Sequence, residues 1–208
     1  MRYFTLIKDH VDTKPFLEEM SKNNHIWHNL RASLAQHGLY GALDIALIDW
    51  AKPHTPADRD KHEVEKTEHY AHFPILTTFI EHFAEEMESD MARFMIVSIR
   101  PGSDVYPHIE KGAYYRAIDR YHLIIQSTGS EMTTGDETVL LKTGELWWFN
   151  SQAIHSAKNV GTVPRIHIIF DLKPRNRKPW HEFPAAPVGL PVEGRLVSPS
   201  YTPVALPH

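Results

Sequence analysis

Cysteine is absent from all 208 residues. That omission removes a disulfide framework, a thiolate nucleophile and any Cys-based zinc or iron–sulfur site. Long apolar runs are missing too. The opening residues, MRYFTLIKDHVDTK, hold too short a hydrophobic stretch for a secretory signal, and no later segment is long enough to span a bilayer. No membrane association is expected, and a reducing cytoplasm is the expected compartment. Excess charge of one sign is also lacking. With 22 Lys+Arg against 26 Asp+Glu the net charge is −4, which gives no basis for nucleic-acid binding.

What is present suits a folded protein. A chain of 24.0 kDa with 42% hydrophobic and 23% charged residues can bury one sizeable core. Three regions are expected: a mixed α/β support over 1–90, a β-rich core over 91–173, and a proline-rich tail over 174–208. The tail holds eight of the 15 prolines and cannot form regular ladders or helix interiors.

In the first region, Thr13 can cap a short helix through Phe16, Leu17 and Met20, with Pro15 in its first turn. The apolar density of 44–50 (DIALIDW) predicts a buried strand, and the polar stretch 52–72 reads as a long loop. From Pro74, the residues Leu76, Phe79, Ile80, Phe83 and Met87 form one apolar stripe, a helix fraying near Asp90 because its C-terminal acids oppose the dipole. Beyond Met91 the period changes to two. Segments 93–99, 121–126, 138–141, 146–149 and 165–172 read as strands between Pro-Gly and Thr-Gly turns, and a double-sheet jelly roll accommodates them best.

Histidine is the compositional anomaly, with 15 copies. Chance alone then supplies about two His-x-Asp/Glu tripeptides. Two occur, His10-Val11-Asp12 and His108-Ile109-Glu110, so the tripeptide by itself carries no weight. Order gives the second copy its weight: His108 and Glu110 precede His155, and Arg165 follows ten positions later at the head of an apolar strand. Two imidazoles and one carboxylate can occupy one face of an Fe(II) ion and leave the opposite positions open. An arginine on the next strand can grip the distal carboxylate of 2-oxoglutarate. Alternation also puts Arg120, His122 and Ile124 on one face of their strand, and Arg165, His167, Ile169 and Asp171 on one face of theirs. Trp147 and Trp148 point to opposite faces, one toward the core and the other toward a site wall. His62, Glu63, His69 and His72 lack the HExxH pattern and read as a solvated loop, and His10 and Asp12 as surface residues.

The blocks PHIEKG, RYHLII, GELWWFNSQAIHSAKN and PRIHIIFDL, in that order over 95–174, resemble the aspartyl/asparaginyl β-hydroxylase family of Fe(II)/2-oxoglutarate oxygenases. The resemblance implies a double-stranded β-helix. It also implies iron ligands at His108 and His155, a carboxylate ligand at Glu110, and Arg165 as the co-substrate clamp, with Arg120 and His122 near the co-substrate's other end. The expected cofactors are Fe(II), 2-oxoglutarate and O2, and the expected reaction is hydroxylation with release of succinate and CO2. Glu110 departs from the pattern, because animal members carry a small residue there and other oxygenases of the superfamily an aspartate. The disulfide-rich substrates of the animal enzymes are not carried over to a cysteine-free chain. The expected partner is a small-molecule or peptide substrate. Two further classes stay open, a cupin-like metal enzyme without 2-oxoglutarate and a non-catalytic jelly-roll binding module.

Overall fold

The computed structural model describes residues 2–29, 42–51 and 63–183. In chain order the elements are β1 (Phe4–Lys8), α1 (Lys14–Lys22), β2 (His28–Asn29), β3 (Leu43–Trp50), β4 (Val64–Lys66), α2 (Pro74–Glu86), β5 (Ser89–Ile99) and β6 (Asp104–His108). There follow α3 (Ala113–Arg116), β7 (Asp119–Gln126), β8 (Ser130–Thr134), β9 (Glu137–Leu141), β10 (Leu146–Phe149), β11 (His155–Asn159) and β12 (Arg165–Pro174). None of the described helices is long and apolar enough to cross a membrane.

From Ser89 onward the chain distributes its strands between two antiparallel sheets. The order β10-β7-β12-β5 forms the centre of the larger sheet, and β6-β11-β8-β9 forms the smaller one. Neighbours in each sheet are mostly non-consecutive in sequence, so the chain winds repeatedly from one sheet to the other. This is the double-stranded β-helix. N-terminal strands widen the larger sheet at both edges, β1 against β10 and β3 with β2 and β4 beyond β5.

Three layers result. The stripe of α2 buries Leu76, Ile80 and Phe83 with Phe16 and Met20 of α1 against Phe94, Ile96, Tyr121 and Phe170 on the outer face of the larger sheet. Between the sheets lies a second cluster that includes Phe4, Ile124, Met132, Val139, Trp147 and Phe149. Where this cluster ends, the sandwich stays open and forms the cavity described below.

Several local expectations are corrected. The helix α2 does not fray to Asp90: it ends at Glu86, Glu88 turns the chain at φ 48°, and Asp90 already lies in β5. Arg175 neutralises the acids at that end, reaching Glu85 at 2.7 Å and Asp90 at 2.8 Å. At the other end of α2 the buried carboxylate of Glu19 accepts from the Ile75 and Leu76 amides at 2.6 and 3.0 Å, so a residue of α1 caps α2. Thr13 makes no side-chain cap on α1; the Asp12 carboxylate accepts from the Lys14 amide instead, at 3.1 Å. The polar stretch 52–72 contains the edge strand β4 and a 3-10 turn, Tyr70–His72, while 52–62 lie outside the described residues. The tail begins in β12, and Trp180 packs on Trp148 and Tyr121 with its amide donating to Asp119 at 2.7 Å. Residues 184–208 lie outside the described set.

Among the described strands, six have no assignment from the sequence: β1, β2, β4, β6, β8 and β11. In β6, β8 and β11 (DVYPH, SEMTT, HSAKN) polar residues predominate, so the apolar alternation that marks a half-buried strand is missing. The turn into β6 is visible in the sequence. Pro101-Gly102 closes a four-residue turn with the Ser103 amide donating to Arg100 O at 3.2 Å, and Gly102 sits at φ 74°.

Candidate metal centre and its cavity

His108 is the last residue of β6 and His155 the first of β11. The two strands pair antiparallel with these histidines as direct partners. The ladder therefore brings the imidazoles together, ring centroids 4.2 Å apart at an interplanar angle of 56°. Glu110 lies two positions beyond His108, and one donor atom from each of the three lies within 4.8 Å of the others.

Both ring orientations are fixed by the backbone. Nδ1 of His108 is 2.8 Å from Tyr106 O, and Nδ1 of His155 is 3.0 Å from Ala153 O. A carbonyl can only accept, so each Nδ1 carries a proton, and in the neutral ring the lone pair then falls on Nε2. That tautomer is the one a metal requires. Burial and the neighbouring His108 lower the His155 pKa to about 4, so this imidazole is neutral at physiological pH. Burial pushes Glu110 up, yet Arg120 and the two imidazoles pull it further down, and its net shift is downward. The donor set is two imidazole nitrogens and a carboxylate.

The turn before His155 is braced by Gln152, which the sequence did not single out. Its amide donates to Glu110 O at 3.2 Å and Tyr115 O at 3.3 Å, and the Glu110 amide donates to Ser151 O at 3.3 Å. The segments carrying the carboxylate and the second imidazole are thereby tied together.

These residues open into a cavity of about 360 Å³, within the usual size for a small-molecule site. Val97, Ile99, Val105, Met132 and Phe149 give it apolar walls, and Asp44, Asp49, Trp50, Arg93 and Tyr115 line it from the side of β3 and α3. Neither Trp147 nor Trp148 lines it: Trp147 packs between the sheets and Trp148 against the helical layer, and Phe149 takes the wall position.

Arg120, His122 and Arg165 all line the same cavity, in different electrostatic states. Arg120 is gripped by Asp171, Nε to Oδ1 at 2.7 Å and Nη2 to Oδ2 at 2.8 Å, while Nη1 donates to Glu110. Burial works against its charge, but the two carboxylates outweigh that and hold its pKa well above the ordinary value. Arg165 is 3% exposed and makes no ion pair among the described residues; its Nε and Nη1 have no hydrogen-bond partner. Burial lowers its pKa to about 10, still charged at neutral pH. A buried unpaired guanidinium costs several kcal/mol by itself, so its presence points to an anion that completes it. His122, buried against Phe149 and His167, also leaves Nδ1 unpartnered, and burial followed by the Arg165 charge keeps it neutral.

Of the remaining candidates, Asp171 compensates Arg120, and Ile169 lines the cavity. His10 is exposed at φ 58°. His69 meets His28 with Nε2 atoms 3.4 Å apart and lies outside the cavity, and His62 is outside the described residues. Asp49 pairs with Arg93 at 3.2 Å, and Arg93 also donates to the Tyr115 hydroxyl at 3.3 Å. Asp49 comes from β3, far from the motif blocks in sequence, whereas Arg93 lies in β5 and Tyr115 in α3.

The donor set and the unpaired arginine fit a divalent cation and an anionic co-substrate. The family model described as Aspartyl/Asparaginyl beta-hydroxylase matches residues 5–174. Among solved structures, an oxidoreductase of the 2OG-Fe(II) oxygenase family from Burkholderia pseudomallei aligns with TM-score 0.53 at 11% identity, covering 78% of this chain and 82% of that one. A prolyl-4-hydroxylase from Pseudomonas putida aligns with TM-score 0.51 at 11% identity, covering 85% and 95%. At that identity the likeness is one of fold. No curated protein matches the sequence.

Proposed function

This chain belongs to the aspartyl/asparaginyl β-hydroxylase family, and from that premise we propose that it is an Fe(II)- and 2-oxoglutarate-dependent dioxygenase. Its substrate in this reading is an aliphatic C–H of an amino acid, a peptide or protein side chain, or a related small molecule. The observation that carries the reading is the isolated charge of Arg165 in the wall that also holds His108, Glu110 and His155.

Charge balance supports it. The pairs Arg120–Asp171 and Arg93–Asp49 compensate themselves, which leaves the carboxylates of Glu110, beside the imidazoles, and Asp44, on β3, with Arg165 positive elsewhere in the wall. A dication with a dianion would leave that balance unchanged, whereas either alone would charge a poorly solvated cavity. When bound, Fe(II) and 2-oxoglutarate supply the oxidising chemistry: O2 is consumed, 2-oxoglutarate leaves as succinate and CO2, and one oxygen atom enters the substrate C–H bond.

The chain's own residues then have defined tasks. His108 and His155 would offer Nε2 lone pairs and Glu110 a carboxylate oxygen. Arg165 would donate its N–H groups to the distal carboxylate of the co-substrate. Met132, Phe149 and the neighbouring aliphatic residues keep water from the reacting centre. The β3 and α3 side of the cavity faces the substrate.

The test is anaerobic Fe(II) titration with and without 2-oxoglutarate, followed by visible absorbance. A charge-transfer band that appears only with the co-substrate supports the proposal. Metal binding without that band favours a cupin-like enzyme, and no metal binding favours a non-catalytic module. Succinate formation screened over free amino acids and peptides then identifies the substrate class.

A further inference from the structure

Glu110 lies past the end of β6, and its long side chain has three torsions to fix if one oxygen is to meet a metal. Its backbone hydrogen bonds, at 3.2 and 3.3 Å, hold the segment but not the carboxylate. The carboxylate is held by Arg120, whose Nη1 donates to Oε1. Arg120 itself cannot swing, because Asp171 takes two of its nitrogens in the fork geometry that suits a carboxylate. Asp171 is 1% exposed and accepts a further hydrogen bond from the Tyr114 hydroxyl at 2.9 Å, and that hydroxyl accepts from the Arg93 amide at 3.0 Å.

We propose that Arg120 is a positioning residue for Glu110, pinning Oε1 so that Oε2 is presented to the metal as a single ligand, and is not a receptor for the co-substrate. This rests on the reading of His108, Glu110 and His155 as a metal site. Two carboxylates already outweigh the one positive charge of Arg120, so a third has little to gain there, whereas Arg165 has no such partner. The same bond biases Glu110 toward one-oxygen ligation, since bidentate binding would require Oε1 to leave Arg120.

Co(II) serves as the probe, because its d–d spectrum reports ligand number without turnover. The full-length chain is titrated as wild type, Glu110→Gln, Arg120→Lys, the charge-balanced double variant Arg120→Gln/Asp171→Asn, and the triple combination. The double variant avoids leaving Asp171 buried and unpaired, which is the event that would unfold a single Arg120 variant. Expected are losses of Co(II) affinity of about 10- to 100-fold for Glu110→Gln and for the double variant, with a shared spectral change. The triple variant should add little, because both changes remove one ligand. Arg120→Lys keeps the charge without the fork and should fall in between. 2-Oxoglutarate affinity at saturating Co(II) should fall far less than it does in Arg165→Met. Unchanged Co(II) affinity and spectrum in the double variant, with 2-oxoglutarate affinity lost as in Arg165→Met, would overturn the proposal and make Arg120 a co-substrate receptor. Additive losses in the triple variant would also overturn it. A wild type that binds no Co(II) removes the metal reading itself, a distinct failure.

Discussion

His108 and His155 are direct partners across the β6–β11 ladder, each with Nδ1 turned to a carbonyl two residues earlier in its own chain segment, Tyr106 and Ala153. The pairing register sets their separation and the local backbone sets their tautomer, so neither depends on a long flexible loop.

Replacing either histidine by alanine should therefore remove metal binding and leave the fold standing. Metal affinity is expected to fall at least 100-fold, and 2-oxoglutarate turnover to vanish. Circular dichroism and a melting curve within a few degrees of wild type check that the ladder survives, since neither ring belongs to the described apolar clusters.

Arg165→Met separates function from stability. The 2-oxoglutarate requirement should rise about 10- to 100-fold through loss of charged hydrogen bonds. The ligand-free protein should be more stable, by about 1–2 kcal/mol, because an unpaired buried charge gives way to a side chain of similar volume. Chemical denaturation without ligand together with co-substrate saturation measures both, and a less stable variant would show that Arg165 has a partner in the free protein.

His167 should shape the pH dependence of stability. It is 1% exposed with both ring nitrogens unpartnered among the described residues, and burial, with the Arg165 charge second, holds its pKa well below 6.5. Between that depressed value and 6.5 the unfolded chain binds a proton that the folded chain does not. Stability therefore falls as pH drops below 6.5, by at most about 1.4 kcal/mol per pH unit from this residue. His167→Phe should flatten the denaturation midpoint against pH over pH 4.5–6.5; an unchanged slope would remove the residue from that role.

Glu19→Ala deprives α2 of its N-terminal acceptor. Two amides lose their partner in a partly buried corner, and a loss of about 1–2 kcal/mol follows, or roughly 2–8 °C in Tm for a chain of this size. Glu19→Gln, which keeps one acceptor oxygen, should recover part of it in the same thermal scan.

The readable part of the sequence was the locally periodic part. The stripe from Leu76 to Phe83 and the apolar strands β5, β7 and β12 announce themselves because the same side chains repeat on one buried face. The ordered blocks also announce His108, Glu110, His155 and Arg165. The polar strands β6, β8 and β11 give no such signal, since few of their side chains are apolar. Gln152, Asp171 and Glu19 were invisible as partners because each reaches a residue distant in the chain, and no spacing rule connects Asp171 to Arg120 or Glu19 to Ile75.

The amino-acid order alone settled which donor atoms were available and on which strand faces they stand, because side-chain chemistry and alternation are properties of a few consecutive residues. Only the folded arrangement brought His108 and His155 together beside Glu110, compensated Arg120 and left Arg165 without an ion pair among the described residues. Those outcomes depend on the register between strands far apart in sequence and on burial, which strips water from a charge and makes the presence or absence of a single neighbour decisive.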